Sequence, residues 1–250
     1  MKILISPAKS LDFENQPNTN KKSNPVFQNQ ADIINNKLKE YSSPDLSKLM
    51  GISSKLSELN WSRNQDFQNS NSKKQAIFAF NGDVYDGIDI KSMSSEKYSK
   101  LQNSVRILSG LYGVLKPFDL IKPYRLEMGT KLSINGSKNL YEFWSEKVTN
   151  SLTNEILEDD LIINLASNEY FSVINKSLLK NTIISPQFKD FKNGKLKIIS
   201  FFAKKARGLM TRYLIDKEVK SIEELKGFNI DGYSFSKQES KDNFNPVFIR

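Results

Sequence analysis

The run KILISP at residues 2–7 decides how the rest of the chain is read. Ile3, Leu4 and Ile5 follow one another without polar alternation. Pro7 has no N–H with which to continue a hydrogen-bond ladder, so the segment reads as a buried first strand that stops at Ser6. Outward from it, short buried runs recur at Ala76–Phe80, Val105–Ser109, Leu161–Leu165, Thr182–Ser185 and Leu196–Phe202. Helical spacing recurs between them, at Ser94–Asn103, Leu140–Leu157, Glu169–Lys176 and Lys204–Lys217. Strands separated by helices imply a mainly parallel sheet. Asn193-Gly194 is a two-residue hairpin signal, so Gln187–Phe191 and Lys195–Phe202 are expected to pair antiparallel and make that sheet mixed. Tyr233–Phe235 and Val247–Ile249 read as edge strands. The expected class is α/β: one domain over 1–250, with a mixed, mainly parallel sheet flanked by helices and residues 26–75 as a helical elaboration.

That elaboration follows a polar loop, ENQPNTNKKSNP at 14–25. A helix is expected over Val26–Tyr41, with Ile33, Ile34, Leu38 and Tyr41 at helical spacing. In SPDLSKLMGISSKLSELN, residues 43–60, Leu46, Leu49 and Met50 precede a break at Gly51, and Ile52, Leu56 and Leu59 follow it. Such a helix, glycine turn and helix fits a helix-hairpin-helix, whose turn N–H groups face a phosphate and to which Ser53, Ser54 and Lys55 add donors. Two amphipathic helices joined by an ordinary glycine turn fit the same residues.

Composition narrows the chemistry. The 250 residues hold 37 Lys plus Arg and 28 Asp plus Glu, a formal charge of +9, and neither His nor Cys. Disulfides, thiolate and imidazole metal sites, thiol peroxidase chemistry, His-ligated haem and Ser/His/Asp triads are therefore excluded. A basic chain attracts nucleic acid, anionic lipid or phosphorylated ligands, and a lysine-rich solvated surface has the same composition. The apolar run at Ile3–Ile5 is too short for a signal h-region or membrane span, and no 18 apolar residues run together. A cytoplasmic protein with no membrane partner is expected. Only Arg63, Arg106, Arg125, Arg207, Arg212 and Arg250 interrupt a strong lysine bias. A retained Arg marks a place where a planar, bidentate donor is needed.

In an open sheet of this kind ligands bind beyond the carboxyl ends of the strands. The residues there are Ser6-Pro7-Ala8-Lys9, Asn81-Gly82-Asp83-Val84-Tyr85, Ser109-Gly110-Leu111-Tyr112-Gly113, Ala166-Ser167-Asn168-Glu169-Tyr170 and Lys204-Lys205-Ala206-Arg207-Gly208. Five loops thus bring cations, tyrosines and small residues to one rim. Arg125, two residues from Glu127, is either pinned by it to present its fork outward or merely paired with it. Lys204, Lys205 and Arg207 are placed at a helix start, where cations oppose the macrodipole unless an anion binds. Asp83 and Lys9 are the candidates for acid-base chemistry, although Asp83 also suits a helix start, and Glu169 a first helical turn. No compact Asp/Asn loop suggests a metal site, and no cofactor is implied.

The strings ISPAKSLDF at 5–13, NGDVYDG at 81–87, LSGLYGVLKPFDLIKPYRLEMG at 108–129, INLASNEYF at 163–171 and ISFFAKKARGLM at 199–210 closely resemble the YaaA family, and the likeness runs along essentially the whole chain. The resemblance implies an unusual α/β fold carrying a helix-hairpin-helix. It also implies a role in hydrogen peroxide resistance by limiting unincorporated iron, and binding of duplex and branched DNA in a positive cleft. By matching positions it points to Lys9, Arg125, Lys204, Lys205 and Arg207 as cleft cations. Asn81 stands where relatives often carry Lys, and Asn168 where an acid is frequent. The expected function is a peroxide-stress protein that binds DNA chiefly through phosphate and protects it from iron-driven damage, with no established enzyme activity. The alternative is an enzyme acting on a nucleotide or nucleobase in the same pocket, with a nucleotide-like small molecule as its partner.

Overall fold

Strand β1 (Lys2–Ile5) lies at the centre of the main sheet, its three apolar residues at most 1% exposed. A computed structural model describes residues 1–250. Beyond β1, a short strand β2 (Ser10–Leu11) leads through a long loop to helices α1 (Gln28–Lys39), α2 (Ser43–Met50) and α3 (Ser54–Asp66). Ser42 caps α2 by accepting the Asp45 N–H, and Gly51 ends it in the left-handed region at φ 61°. Ser53 then caps α3 by accepting the Leu56 N–H. Polar N-caps and a left-handed glycine satisfy the orphan backbone groups of two consecutive helices within a very short turn.

The chain continues through β3 (Lys74–Gln75), α4 (Ala76–Ala79), β4 (Phe80–Asn81), α5 (Asp83–Ile88) and α6 (Tyr98–Ser104) to β5 (Val105–Ser109), β6 (Gly113–Leu115) and β7 (Leu120–Ile121). Helix α7 (Leu140–Thr153), β8 (Ile162–Leu165), α8 (Asn168–Phe171) and β9 (Ile183–Ile184) complete the central unit. The five-stranded sheet has the order β6-β5-β1-β8-β9. Ile3 faces Val105 on one side and Ile163 on the other, both in parallel register. The fold is a mixed, mainly parallel α/β sheet flanked by helices, and no helix is long and apolar enough to cross a membrane.

The antiparallel member of this sheet is β6, which reverses directly out of β5 with Ser109 opposite Gly113. At Gly113, with φ 68°, a Cβ would stand 2.7 Å from the ring of Trp144, a fully buried side chain of α7 whose Nε1–H donates to the Gly110 carbonyl. The hairpin expected at Asn193-Gly194 exists, as β10 (Gln187–Lys192) and β11 (Lys195–Lys197), but belongs to a second sheet of order β11-β10-β13-β12. Strand β12 (Ser234–Phe235) is an edge of that sheet, whereas β13 (Val247–Ile249) is internal, between β10 and β12. Between hairpin and β12 come the long helix α9 (Ser200–Asp216) and α10 (Ile222–Lys226). A contiguous cluster of 58 buried residues runs through both sheets and their helices.

Three further sequence expectations are corrected. Ala76–Phe80 is one turn of helix, α4, and the first residue of β4, held where Ala76 and Ile77 donate their N–H groups to the carbonyls of Asp119 and Pro117. Leu196–Phe202 is not one strand, because β11 ends at Lys197 and α9 already begins at Ser200. Glu169–Lys176 is a single turn, Asn168–Phe171, followed by a separate short 3-10 turn at Lys176–Leu178. Brief apolar runs suit either backbone, and tertiary partners make the choice.

Candidate functional site

The strand ends do converge. Ser6, just past β1, accepts the Ser167 N–H through Oγ at 2.9 Å, and its carbonyl accepts the Tyr85 hydroxyl at 3.1 Å. Ser109, the last residue of β5, shares a 2.7 Å hydrogen bond with Tyr124. Tyr85, Tyr124 and Tyr170 are all less than 9% exposed, and burial, with the other tyrosines adding to it, pushes the hydroxyls of Tyr85 and Tyr170 well above the ordinary phenol range; burial does the same for Tyr124. The inner end of this strand-end junction is thus neutral, with the Tyr85 and Tyr124 hydroxyls bonded within the protein.

Charge sits at its mouth. Glu127 accepts from Lys9 at 2.8 Å through one carboxylate oxygen and from Arg125 at 3.0 Å through the other. The Arg125 Nε is buried without a partner, so the fork is not saturated by protein. Across from this trio, the Glu169 carboxylate accepts the Gly129 N–H at 3.1 Å, from its place in the first turn of α8. Asp83 is in the first turn of α5, where a negative charge favours the helix. A Cβ at Gly82, the residue before it, would lie 3.5 Å from Ala8, so α5 starts against the loop that carries Lys9.

The basic triplet of α9 stands differently from its sequence expectation. Helix α9 begins at Ser200, so Lys204, Lys205 and Arg207 lie in its second turn and beyond, not at its N-terminus, and the macrodipole there exerts little force. Lys204 is exposed. Lys205 is 3.7 Å from Asp231, a carboxylate that also holds Arg250 at 2.9 Å. Arg207 is half-buried on the helix that packs against α5 through Gly208; its side chain has no protein hydrogen bond or ion pair, and burial alone lowers its pKa. Ser53 is occupied as the α3 cap, while Ser54 and Lys55 are exposed beside it.

Between α3 and this mouth lies a cleft of about 590 Å³, reached from Asn81 and Pro123. Its wall includes two residues that did not emerge from the strand-end argument, Arg63 and Lys122. Arg63 is half-buried with no carboxylate partner and only a 3.3 Å bond to Asn60, and Lys122 sits over Phe67 at 5.1 Å. The scarcity of Arg in the sequence was the available signal for Arg63. Asp12, Glu14 and Asp66 line the same cleft, so its charge is mixed.

Asp12 shapes the rim of this cleft. Its carboxylate accepts from the Asn15 side chain at 3.0 Å and from the N–H groups of Asn15 and Glu14, which together hold its pKa down at about 2. A carboxylate depressed in the folded state stabilises fully above its unfolded value of 3.8, and that contribution drains away as pH falls towards about 2. Asp12→Asn is expected to flatten the acid limb of a stability-against-pH curve below pH 3.8. Urea midpoints measured through that window check it, and an unaltered acid limb contradicts the assignment.

A family model described as peroxide stress protein YaaA matches residues 1–239. A UPF0246 protein of Flavobacterium psychrophilum is 54% identical over 253 residues, covering 100% of both chains. A UPF0246 protein of Flavobacterium johnsoniae is 52% identical with the same coverage, and one of Shewanella sp. strain ANA-3 is 49% identical over 100% of this chain and 99% of its own.

Proposed function

This chain belongs to the YaaA family of peroxide stress proteins, and from that membership we propose that it acts in the cytoplasm by binding DNA through phosphate contacts and keeping iron-driven oxidation away from it. Arg207 is the observation that supports this most. A half-buried guanidinium with no carboxylate or carbonyl to meet it costs the folded state desolvation free energy that a bound anion would return. Lys204 one turn earlier, Lys9 with Arg125 across the start of α5, and Lys55 beside the α2–α3 turn are further contacts for one polyanion. Side chains of His and Cys are absent, and nowhere do three Asp or Glu gather into a metal cradle.

Affinity for duplex DNA measured against salt tests the proposal. Phosphate-led binding gives a steep fall, and Lys204→Ala is expected to flatten the log–log slope by about one unit. Lys205→Ala should change it by less, because Asp231 already faces that ammonium. A slope near zero for the unaltered protein overturns the proposal.

The 590 Å³ cleft favours a second reading, an enzyme acting on a nucleotide or nucleobase. It has a size suited to a small ligand, aromatic walls at Phe13 and Phe67, and the cations Arg63 and Lys122. Asp83, at the head of α5, is not among the residues lining this cleft, so its acid-base candidates are the lining carboxylates Asp12, Glu14 and Asp66, and nucleotide turnover that survives Asp66→Asn removes Asp66 from that role.

A further inference from the structure

From Phe191 to Ile215 the chain contains no acidic residue. The first part of this stretch is the β10–β11 hairpin tip and the beginning of α9, and it keeps large apolar side chains in water. Phe191 is 65% exposed, Ile198 57% and Phe201 53%. Strand register explains two of them: Phe191 pairs with Leu196, and the alternation of side chains puts Ile198 on the same face as Leu196. That face looks away from the one on which Asp190 is buried beneath Tyr233 and Arg250. Phe201 stacks on Phe202 at 4.3 Å, and Phe202 in turn lies under the Arg250 guanidinium at 4.4 Å. The base of the tip is therefore pinned while its outer rings are free. Lys192, Lys195 and Lys197 project from the opposite face of the ribbon and Lys204 follows on α9, all exposed and none in an ion pair within the protein.

We propose that this tip is a separate nucleic-acid contact, at which Phe191 and Phe201 stack on unpaired bases while Lys192, Lys195 and Lys197, on the other face of the ribbon, hold the flanking phosphates. The proposal rests on the DNA-binding reading above and adds the chemistry of the strand recognised. Aromatic faces accept any base, and stacking requires a base whose face is open, so paired duplex offers the rings little. A β-ribbon with apolar side chains on one face and cations on the other has the shape of a wedge at a frayed end or junction. Charge speaks against a second copy of this chain as the occupant. The acid-free run Phe191–Ile215 gives a second copy no carboxylate with which to meet the lysines of this ribbon, whereas a polyanion meets them all.

Two probes of equal phosphate count test it: a blunt, fully paired duplex, and a shorter duplex whose single-stranded 3′ overhang carries 2-aminopurine at its first unpaired position. The overhang substrate is expected to bind about tenfold tighter, with a change in 2-aminopurine fluorescence. Phe191→Ala combined with Phe201→Ala should erase that preference and the fluorescence change, leaving duplex affinity and its salt slope intact. Both rings are more than half exposed, so the variant should fold, and Phe191→Trp should retain the preference. If duplex and overhang bind equally, the stacking site is refuted while DNA binding stands. If neither binds at low salt, both readings fail together. Capture of the protein by vesicles containing phosphatidylglycerol, lost in the double variant, would make the patch a lipid-binding surface and overturn the proposal. A concentration-dependent dimer lost in the same variant would overturn it in favour of self-association.

Discussion

Gly208→Ala is expected to cost a large part of the folding stability. Helices α5 and α9 meet backbone against backbone, and a Cβ at Gly208 would lie 2.0 Å from the Val84 carbonyl oxygen and 2.9 Å from the Gly87 Cα. The reciprocal position is as tight, with a Cβ at Gly87 falling 2.3 Å from the Lys205 carbonyl oxygen. Neither obstacle is a flexible side chain, so relief requires the helices to part. Parting them loosens Ala203, Ala206, Met210 and Leu214, each of which is at most 3% exposed on α9. Overpacking of this kind costs about 3 kcal/mol or more, a large share of the roughly 5–15 kcal/mol by which domains are stable. Urea unfolding measures it, and a midpoint equal to that of the unaltered protein would show that the two helices are not in backbone contact. Because α5 begins against Ala8, the same substitution should also separate Arg207 from Lys9 and weaken DNA binding in whatever fraction remains folded.

Glu127→Gln should act in the opposite sense on binding. In the native protein one carboxylate is shared between Lys9 and Arg125, so the trio carries a net charge of +1. The amide keeps the shape and raises the trio to +2. Affinity for DNA at low salt is expected to rise about tenfold, and the log–log salt slope to steepen by about one unit. Folding stability should fall, since Arg125 is only 16% exposed and loses its counter-ion. Titrations at several salt concentrations check the first part and thermal unfolding the second. The substitution also separates the two functional readings. A polyanion-binding mouth gains from losing Glu127, whereas an enzyme that relied on this carboxylate to position Lys9 would lose turnover. Weaker DNA binding together with an unchanged salt slope would remove the Lys9–Arg125 mouth from the proposed interface.

Much of the fold could be read along the chain because its signals are local. Ile3–Ile5 and Val105–Ser109 are buried strands for reasons contained within each run. The Asn193-Gly194 hairpin takes left-handed φ values of 55° and 71° at its two turn residues, the conformation those residue types favour. Gly51 ends α2 in the same region of backbone space. The errors fall where local signals are ambiguous. Apolar runs at Ala76–Phe80 and Ile198–Phe202 have no periodicity long enough to distinguish strand from helix. The second became helical because Ala203, Ala206 and Met210 continue a face that packs into the core. As a result the basic triplet moved from a helix start to a helix interior, and the electrostatic reason first attached to it disappeared. Arg207 gained a different one, its burial without a partner.

Composition alone settles which side-chain chemistries this protein lacks, and short-range pattern alone places its central strands, its glycine-terminated helix and its hairpin, because backbone preference and turn geometry act over a few residues. Whether a given cation is spent or available is a different kind of quantity. It depends on which carboxylate comes within about 4 Å through space, and Glu127 reaches Lys9 across 118 intervening steps of the chain while Asp231 reaches Lys205 from beyond α10. Only the packed tertiary structure brings those charges together, and only it leaves the Arg207 guanidinium without a partner and the Phe191 ring largely in water.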